Sequence, residues 1–312
     1  MGPRQASKEA MATGEARELP ESIMIFGCGY LGTVLAERLL EAGCRVGALT
    51  RNPDRAASLR QLGLSEVLCA DLHKPGWQTQ LKETYAGVVN CVSSAGGGLE
   101  GYRLSYLEGQ RRILEWTGGL ARPPCLVYTG STSVYPQDGG LTVDETTDTS
   151  EAPPTGQVLL ESERCLASAA SVERWYVLRL AGIYGPGRHF LLDQLRSAEG
   201  PIPGRGDYSM NMIHRDDAVE AICCALRGQG PSGIYNVCDD APVHKEEVLG
   251  YLAAQLGRPA PDFAPSQVSA RLKRRGGRMP DRRILNAKAR SELGWTPNYP
   301  SYREGYADLL SD

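Results

Sequence analysis

The sequence predicts an α/β fold, a doubly wound parallel sheet followed by a small C-terminal lobe. Three observations carry that prediction. Short apolar segments alternate with longer amphipathic ones, the pattern of βαβ units. The run Gly27-Cys28-Gly29-Tyr30-Leu31-Gly32 lies directly between an apolar segment and a helical pattern. After Gly185 the regularity weakens, and Gly185-Pro186-Gly187 and Pro201-Ile202-Pro203-Gly204 punctuate the chain, which suggests inserted elements rather than continued winding.

In chain order, the first strand is expected at Ile23 to Phe26 and the helix after the glycine run near Leu31 to Glu41, closed by Gly43. Further strands are expected at Val46 to Leu49, Glu66 to Cys69, Gly87 to Cys91, Cys125 to Thr129 and Trp175 to Leu180. Helices are expected at about Ser105 to Trp116 and Gln157 to Ala170. Asp138 to Pro154, rich in Gly, Thr, Asp and Pro, reads as an exposed loop. The expected organisation is a disordered leader over 1–21, a dinucleotide-binding domain over 22–185, and a mixed segment over 186–312 that completes the sheet and forms the substrate lobe. The leader lacks the apolar core of a secretion signal and is too rich in acids for a transit peptide.

The chain has 312 residues, 41% hydrophobic and 23% charged, enough for a sizeable core. Its formal net charge of -3 gives no general attraction to nucleic acid or to an anionic membrane, so a small-molecule partner is expected. No apolar run approaches the ~18 residues of a membrane span. The nine cysteines are odd in number, form no C-x-x-C pair and mostly sit in apolar segments, as buried thiols of a cytoplasmic protein do. Ligand-spaced Cys and His are missing, so no metal is expected.

Gly27, Gly29 and Gly32 meet the needs of a Rossmann-type dinucleotide site: a tight turn, close backbone approach to a pyrophosphate, and close helix–strand packing. The phosphates would sit on the helix N-terminus, over the backbone of Tyr30 and Leu31. An NAD site places a carboxylate at the end of the second strand for the ribose 2′-OH, whereas this chain has Thr50-Arg51, with Arg55 close by. NADP(H) is therefore preferred and NAD(H) is the alternative, Arg51 and Arg55 then being a solvated helix start. Asp71 and Leu72, after the third strand, are expected at the adenine edge, unless Asp71 only caps a helix. Val92, Ser93 and Ile183 complete the candidate cofactor contacts.

Several ordered segments resemble the extended short-chain dehydrogenase/reductases of the epimerase/dehydratase branch. They are the glycine loop, Asp71-Leu72, Tyr128 to Tyr135, Asp144-Glu145, Leu178 to Gly187, Asn211 to Ala218 and Tyr235-Asn236-Val237, spanning roughly residues 23 to 310. The resemblance implies a sheet of about seven strands and a cleft where a sugar nucleotide or similar hydroxyl or carbonyl substrate meets a nicotinamide. One departure is central. The family carries Tyr-x-x-x-Lys as its proton relay, and aligning on Glu163 puts Thr155 and Leu159 in those places. The 4,6-dehydratase acid pair is replaced by Thr132 and Ser133, and the glycine spacing is G-x-G-x-x-G. The chain thus resembles the atypical subgroup that lacks the dyad.

Ser131 aligns with the family's catalytic Ser/Thr, its other reading being a satisfied strand-end serine. Tyr135 is a substitute proton donor or a half-buried packing residue. His189 can titrate near neutrality at the mouth of the cleft, while His214 fits a structural role better. Arg205, and Arg278 in the basic run Arg271 to Arg283, suit an anionic substrate, the run being otherwise an exposed basic loop. The leading expectation is an NADP(H)-binding oxidoreductase or epimerase acting on a small anionic or nucleotide-linked hydroxyl or carbonyl substrate by a non-standard proton relay. Its rivals are a non-catalytic NADP(H)-binding sensor or scaffold, and a homodimer whose partner subunit supplies the missing acid.

Overall fold

Runs such as Ile23-Met24-Ile25-Phe26, in which every residue is fully buried, can only be strands covered on both faces. The computed structural model describes residues 18–94, 96, 98–268 and 279–310. The strands are β1 (Ser22–Phe26), β2 (Arg45–Thr50), β3 (Glu66–Cys69), β4 (Gly87–Asn90), β5 (Cys125–Ser131), β6 (Leu141–Val143), β7 (Arg174–Leu180) and β8 (Gly182–Tyr184). They continue with β9 (Ile202–Pro203), β10 (Ser209–Met210), β11 (Met212–His214), β12 (Gly233–Val237), β13 (Val243–His244), β14 (Phe263–Ala264) and β15 (Arg282–Ile284). The helices are α1 (Tyr30–Glu41), α2 (Pro53–Gln61), α3 (Gly98–Tyr102), α4 (Gly109–Gly118), α5 (Pro154–Ala167), α6 (Phe190–Arg196), α7 (Arg215–Leu226), α8 (Lys245–Gln255), α9 (Ala287–Leu293) and α10 (Tyr302–Leu310).

Seven strands form one parallel sheet in the order β12-β7-β5-β4-β1-β2-β3. The winding reverses between β1 and β4, which opens a crevice beyond their carboxyl ends. Leu35, Ala36 and Leu39 of α1 and Ala218 and Ile222 of α7 pack on one face. On the other, Phe26 meets Trp77 and Trp116 at ring-centroid distances of 5.0 and 5.6 Å. A separate lobe core gathers Leu191, Leu192 and Leu195 of α6, Val248, Leu249 and Leu252 of α8, and Tyr302 and Tyr306 of α10.

The six expected strands all lie in this sheet. The seventh, β12, comes from the segment after 185 and was not expected as a strand, because Gly-Ile-Tyr-Asn-Val is too short and polar to stand out. The helix expected near Ser105 to Trp116 is a longer run from Gly98 to Gly118, wound as a π-helix over Arg103–Glu108. The segment 138–154 is not simply an exposed loop. Its β6 pairs in parallel with β15, Val143 is buried, and Glu145 Oε1 accepts the Asn236 N–H at 2.6 Å. Of the leader, 1–17 lie outside the described residues, and Leu19 packs against the core. Cys69 is exposed, unlike the buried Cys28, Cys44, Cys223, Cys224 and Cys238. No helix among the described residues is long and apolar enough to cross a membrane.

The buried carboxyl of Asp217 ties α7 to the segment before α10. Asp217 Oδ1 and Oδ2 accept the N–H groups of Asn298 and Tyr299 at 2.8 and 2.9 Å. Asp239, just past β12, is 2% exposed, and burial pushes its carboxyl well above the usual carboxylate range. Because the folded-state value is raised, its contribution to stability is full below about pH 3.9 and is lost as pH rises through the folded value. Asp239→Asn has no such titration, so its Tm should rise relative to the parent protein as pH is raised above about 4. A difference that stays constant or shrinks would contradict this.

Candidate active site

The glycine loop turns out of β1 into the crevice, and its three glycines serve three different needs. Gly27 has φ +85°, and a Cβ there would lie 2.6 Å from N and Cα of Val92, so the turn admits no side chain. At Gly32 a Cβ would lie 3.0 Å from both Cys91 Sγ and the Gly27 oxygen, where α1 packs closely on the strands. At Gly29 the single neighbour within 4 Å among the described residues is the Gly27 oxygen, at 3.9 Å. The backbone is therefore bare toward open space. Helix α1 begins there with no side-chain cap and no acid in its first turn. Uncapped N–H groups and the positive end of the helix dipole make this cradle fit a pyrophosphate. Gly29→Ala should keep the parent Tm and weaken dinucleotide binding at least about tenfold, about 1.4 kcal/mol, by titration. Undiminished binding would show that the cradle is not used.

At the end of β2, Thr50 is buried and Arg51 and Arg55 are exposed, with no carboxylate at the strand end. Asn52 Oδ1 accepts the Arg55 N–H at 2.8 Å, so Asn52 rather than an acid starts α2. The Arg55 guanidinium lies close enough to the glycine loop for its charge to act on Cys28. Past β3 the expected adenine-edge pair is only partly available. Asp71 holds Lys74 at 3.2 Å, while Leu72 is buried and its carbonyl accepts Trp77 Nε1–H at 2.9 Å. Leu72 thus turns its side chain into the core. Past β4, Val92 backs Gly27, Ser93 is exposed, and buried Asn90 donates to Gln110 Oε1 at 2.7 Å. Ile183 is half-buried on β8, paired with Ile213.

Ser131 closes β5, half-buried. Its Oγ accepts the Ser133 N–H at 3.2 Å and keeps its own proton to donate. Across from it α5 carries Thr155, half-buried in the first turn, and Leu159, 1% exposed, so no charge stands where the relay lysine would.

Tyr135 is not in the cleft. It is 1% exposed, donates to Asn236 Oδ1 at 2.8 Å and accepts from Arg179 Nη1 at 2.9 Å. Burial raises its hydroxyl further above the ordinary value. Both lone-pair and proton capacity are engaged in a buried network, so Tyr135 is a structural residue. Tyr135→Phe should lower stability by about 1–3 kcal/mol in denaturant titration and leave turnover per folded molecule unchanged. Lost turnover at full stability would restore its catalytic role.

His189 precedes α6 with Nδ1 2.8 Å from Asp193 Oδ1, its side chain 24% exposed. His214 is buried, accepts the Asp216 N–H at Nδ1 and lies 3.9 Å from the Tyr299 ring, and burial lowers its pKa. That is a structural histidine. Arg205 is exposed but spends its fork on Asp207, at 2.7 and 2.9 Å, so it is not a free anion ligand. Arg278 lies outside the described residues. Further along the same basic run, Arg282 is buried and donates to the Thr132 carbonyl at 3.0 Å, behind Ser131. Among the described residues no cluster of His, Cys, Asp or Glu could hold a metal.

Two side-chain contacts beside the crevice have no local sequence signal. Tyr106, in the π-helical stretch, accepts the Ser94 N–H at 3.1 Å. Tyr30 donates to the carbonyl of Pro186, 156 residues away. Contacts of that separation appear only once the chain is folded.

The sequence profile of the NAD dependent epimerase/dehydratase family matches residues 23–238. Protein YeeZ of Escherichia coli (strain K12) is 31% identical over 295 residues, 90% of this chain and 97% of its own. The 3-diazoavenalumate denitrifying reductase of a Streptomyces species is 32% identical over 212 residues, 63% of this chain and 64% of its own. A human epimerase family protein solved with NADPH shares the fold, with a TM-score of 0.73 at 19% identity, covering 93% of this chain and 99% of that one. The bare cradle at Gly29, the seven-stranded order and these matches agree: the chain belongs to the NAD dependent epimerase/dehydratase family, whose members are NAD(P)-dependent oxidoreductases and epimerases.

Proposed function

We propose that the protein is an NADP(H)-dependent reductase of a small anionic or nucleotide-linked carbonyl compound, working without the Tyr-Lys relay. The observation that carries this reading is the open glycine cradle beside a β2 end that offers Arg51 and Arg55 and no carboxylate. Two exposed guanidiniums suit a 2′-phosphate by charge-assisted contacts, and a 2′-hydroxyl gains little from them. Arg51→Ala should weaken NADPH about 10–100-fold and leave NADH within about twofold. Equal losses for the two would sink the 2′-phosphate assignment.

Thr155 and Leu159 supply neither the base that oxidation of an alcohol needs nor the acid that reduction of a carbonyl needs, so the proton group must come from elsewhere in the crevice. When bound, the cofactor supplies hydride. Ser131 is then the hydrogen-bond donor to the substrate oxygen. His189 is the candidate proton carrier, half-buried just before α6 with Nδ1 2.8 Å from Asp193 Oδ1. The Streptomyces relative is named a reductase, which supports the reductive direction.

Loss of NADPH absorbance with a panel of carbonyl and nucleotide-sugar substrates tests turnover. Tight NADPH binding with silence across the panel would favour a sensor. With an active substrate, His189→Ala should lower kcat roughly 10²-fold without changing NADPH affinity. Unchanged kcat would remove His189 from the mechanism.

A further inference from the structure

We infer that Arg188 is a side-chain ligand of the dinucleotide pyrophosphate, carried to the crevice by the Gly185–Arg188 turn and set over the ring of Tyr30. The inference rests on the cofactor reading above and adds a residue from the other side of the cleft. Tyr30 is the first residue of α1, so its backbone lies at the open cradle while its hydroxyl donates to the Pro186 carbonyl at 3.0 Å. Two guanidiniums flank its ring, with Cζ of Arg188 at 5.4 Å and of Arg215 at 5.6 Å from the centroid.

Cations at a helix N-terminus oppose the helix dipole. Here they meet an N-terminus with no side-chain cap and no acid in its first turn. Arg215 is offset by Asp216, at 2.8 Å. Arg188 is exposed and pairs with no carboxylate among the described residues, so one full positive charge is left beside the cradle. An anion on the cradle would reverse the sign of that interaction. A doubly charged pyrophosphate is the anion that the bare Gly29 backbone admits.

The turn is built to hold this position. Gly185 and Arg188 exchange backbone hydrogen bonds at 3.1 and 2.9 Å. Gly185 has φ +148°, and a Cβ there would lie 3.0 Å from Tyr30 Oη and 3.1 Å from Arg215 Cβ. The Arg188 charge also acts on Tyr106, whose hydroxyl holds the Ser94 N–H past β4.

The test is calorimetric titration of the parent protein, Arg188→Ala and Arg188→Lys with NADPH, NADH and adenosine 2′-monophosphate, which has no pyrophosphate. Arg188→Ala should weaken NADPH and NADH by the same factor, about tenfold. The loss should shrink at high salt, Arg188→Lys should recover part of it, and the monophosphate should bind as before. Unchanged affinity for both dinucleotides, or an equal loss for the monophosphate, would overturn the inference while leaving the cofactor reading intact. A parent protein that binds neither dinucleotide would overturn both.

Discussion

Arg179 is a permanent charge buried on β7, between β5 and the edge strand β12, and the site depends on how that charge is satisfied. Glu163 of α5 takes its Nε and Nη2 at 3.0 and 2.7 Å, and both side chains are 4% exposed. Tyr135 takes Nη1, Asn236 of β12 takes the Tyr135 proton, and Glu145 takes the Asn236 N–H. Removing one member of a buried pair strands the other charge, at a cost of about 3–5 kcal/mol. One network thus fixes α5 against β7, the end of β5 against β12, and the 138–154 segment against both.

This explains how the scaffold survives without the family's proton relay. In a relay-bearing protein α5 would present a tyrosine and a lysine to the crevice. Here the same helix is held by Glu163, and Leu159 is packed into the core, so Thr155 and Leu159 can occupy those positions without loosening it. The cofactor half is independent of that change, because the glycine cradle is made by Gly27, Gly29, Gly32 and the approach of Val92. Dinucleotide binding and proton chemistry are therefore carried by separate parts of the chain, which is why the first can be read with more detail than the second.

The sheet was legible because its strands are apolar on both faces and short, a pattern local sequence carries. The cradle was legible because turn, close approach and packing each demand glycine at a fixed spacing. Which of its two readings suits Tyr135 was not legible, since four residues from Ser131 looks near in sequence while the 3-10 turn over Thr132–Val134 sends the ring inward to Arg179. The pairing of exposed Arg205 with Asp207, two residues away, is likewise a feature of the folded loop. Arg188 and Tyr106 carry no local pattern at all. Their significance arises from contacts between the lobe, α1 and the end of β4.

The central claim is that the crevice between β1 and β4 binds NADP(H) in preference to NAD(H). Equilibrium titration of the unmodified protein with each reduced cofactor, followed by energy transfer from its tryptophans to the nicotinamide, measures this directly. The account predicts saturable binding of one NADPH per chain, at least about tenfold tighter than NADH, about 1.4 kcal/mol. Equal affinities, or no binding of either, would contradict it.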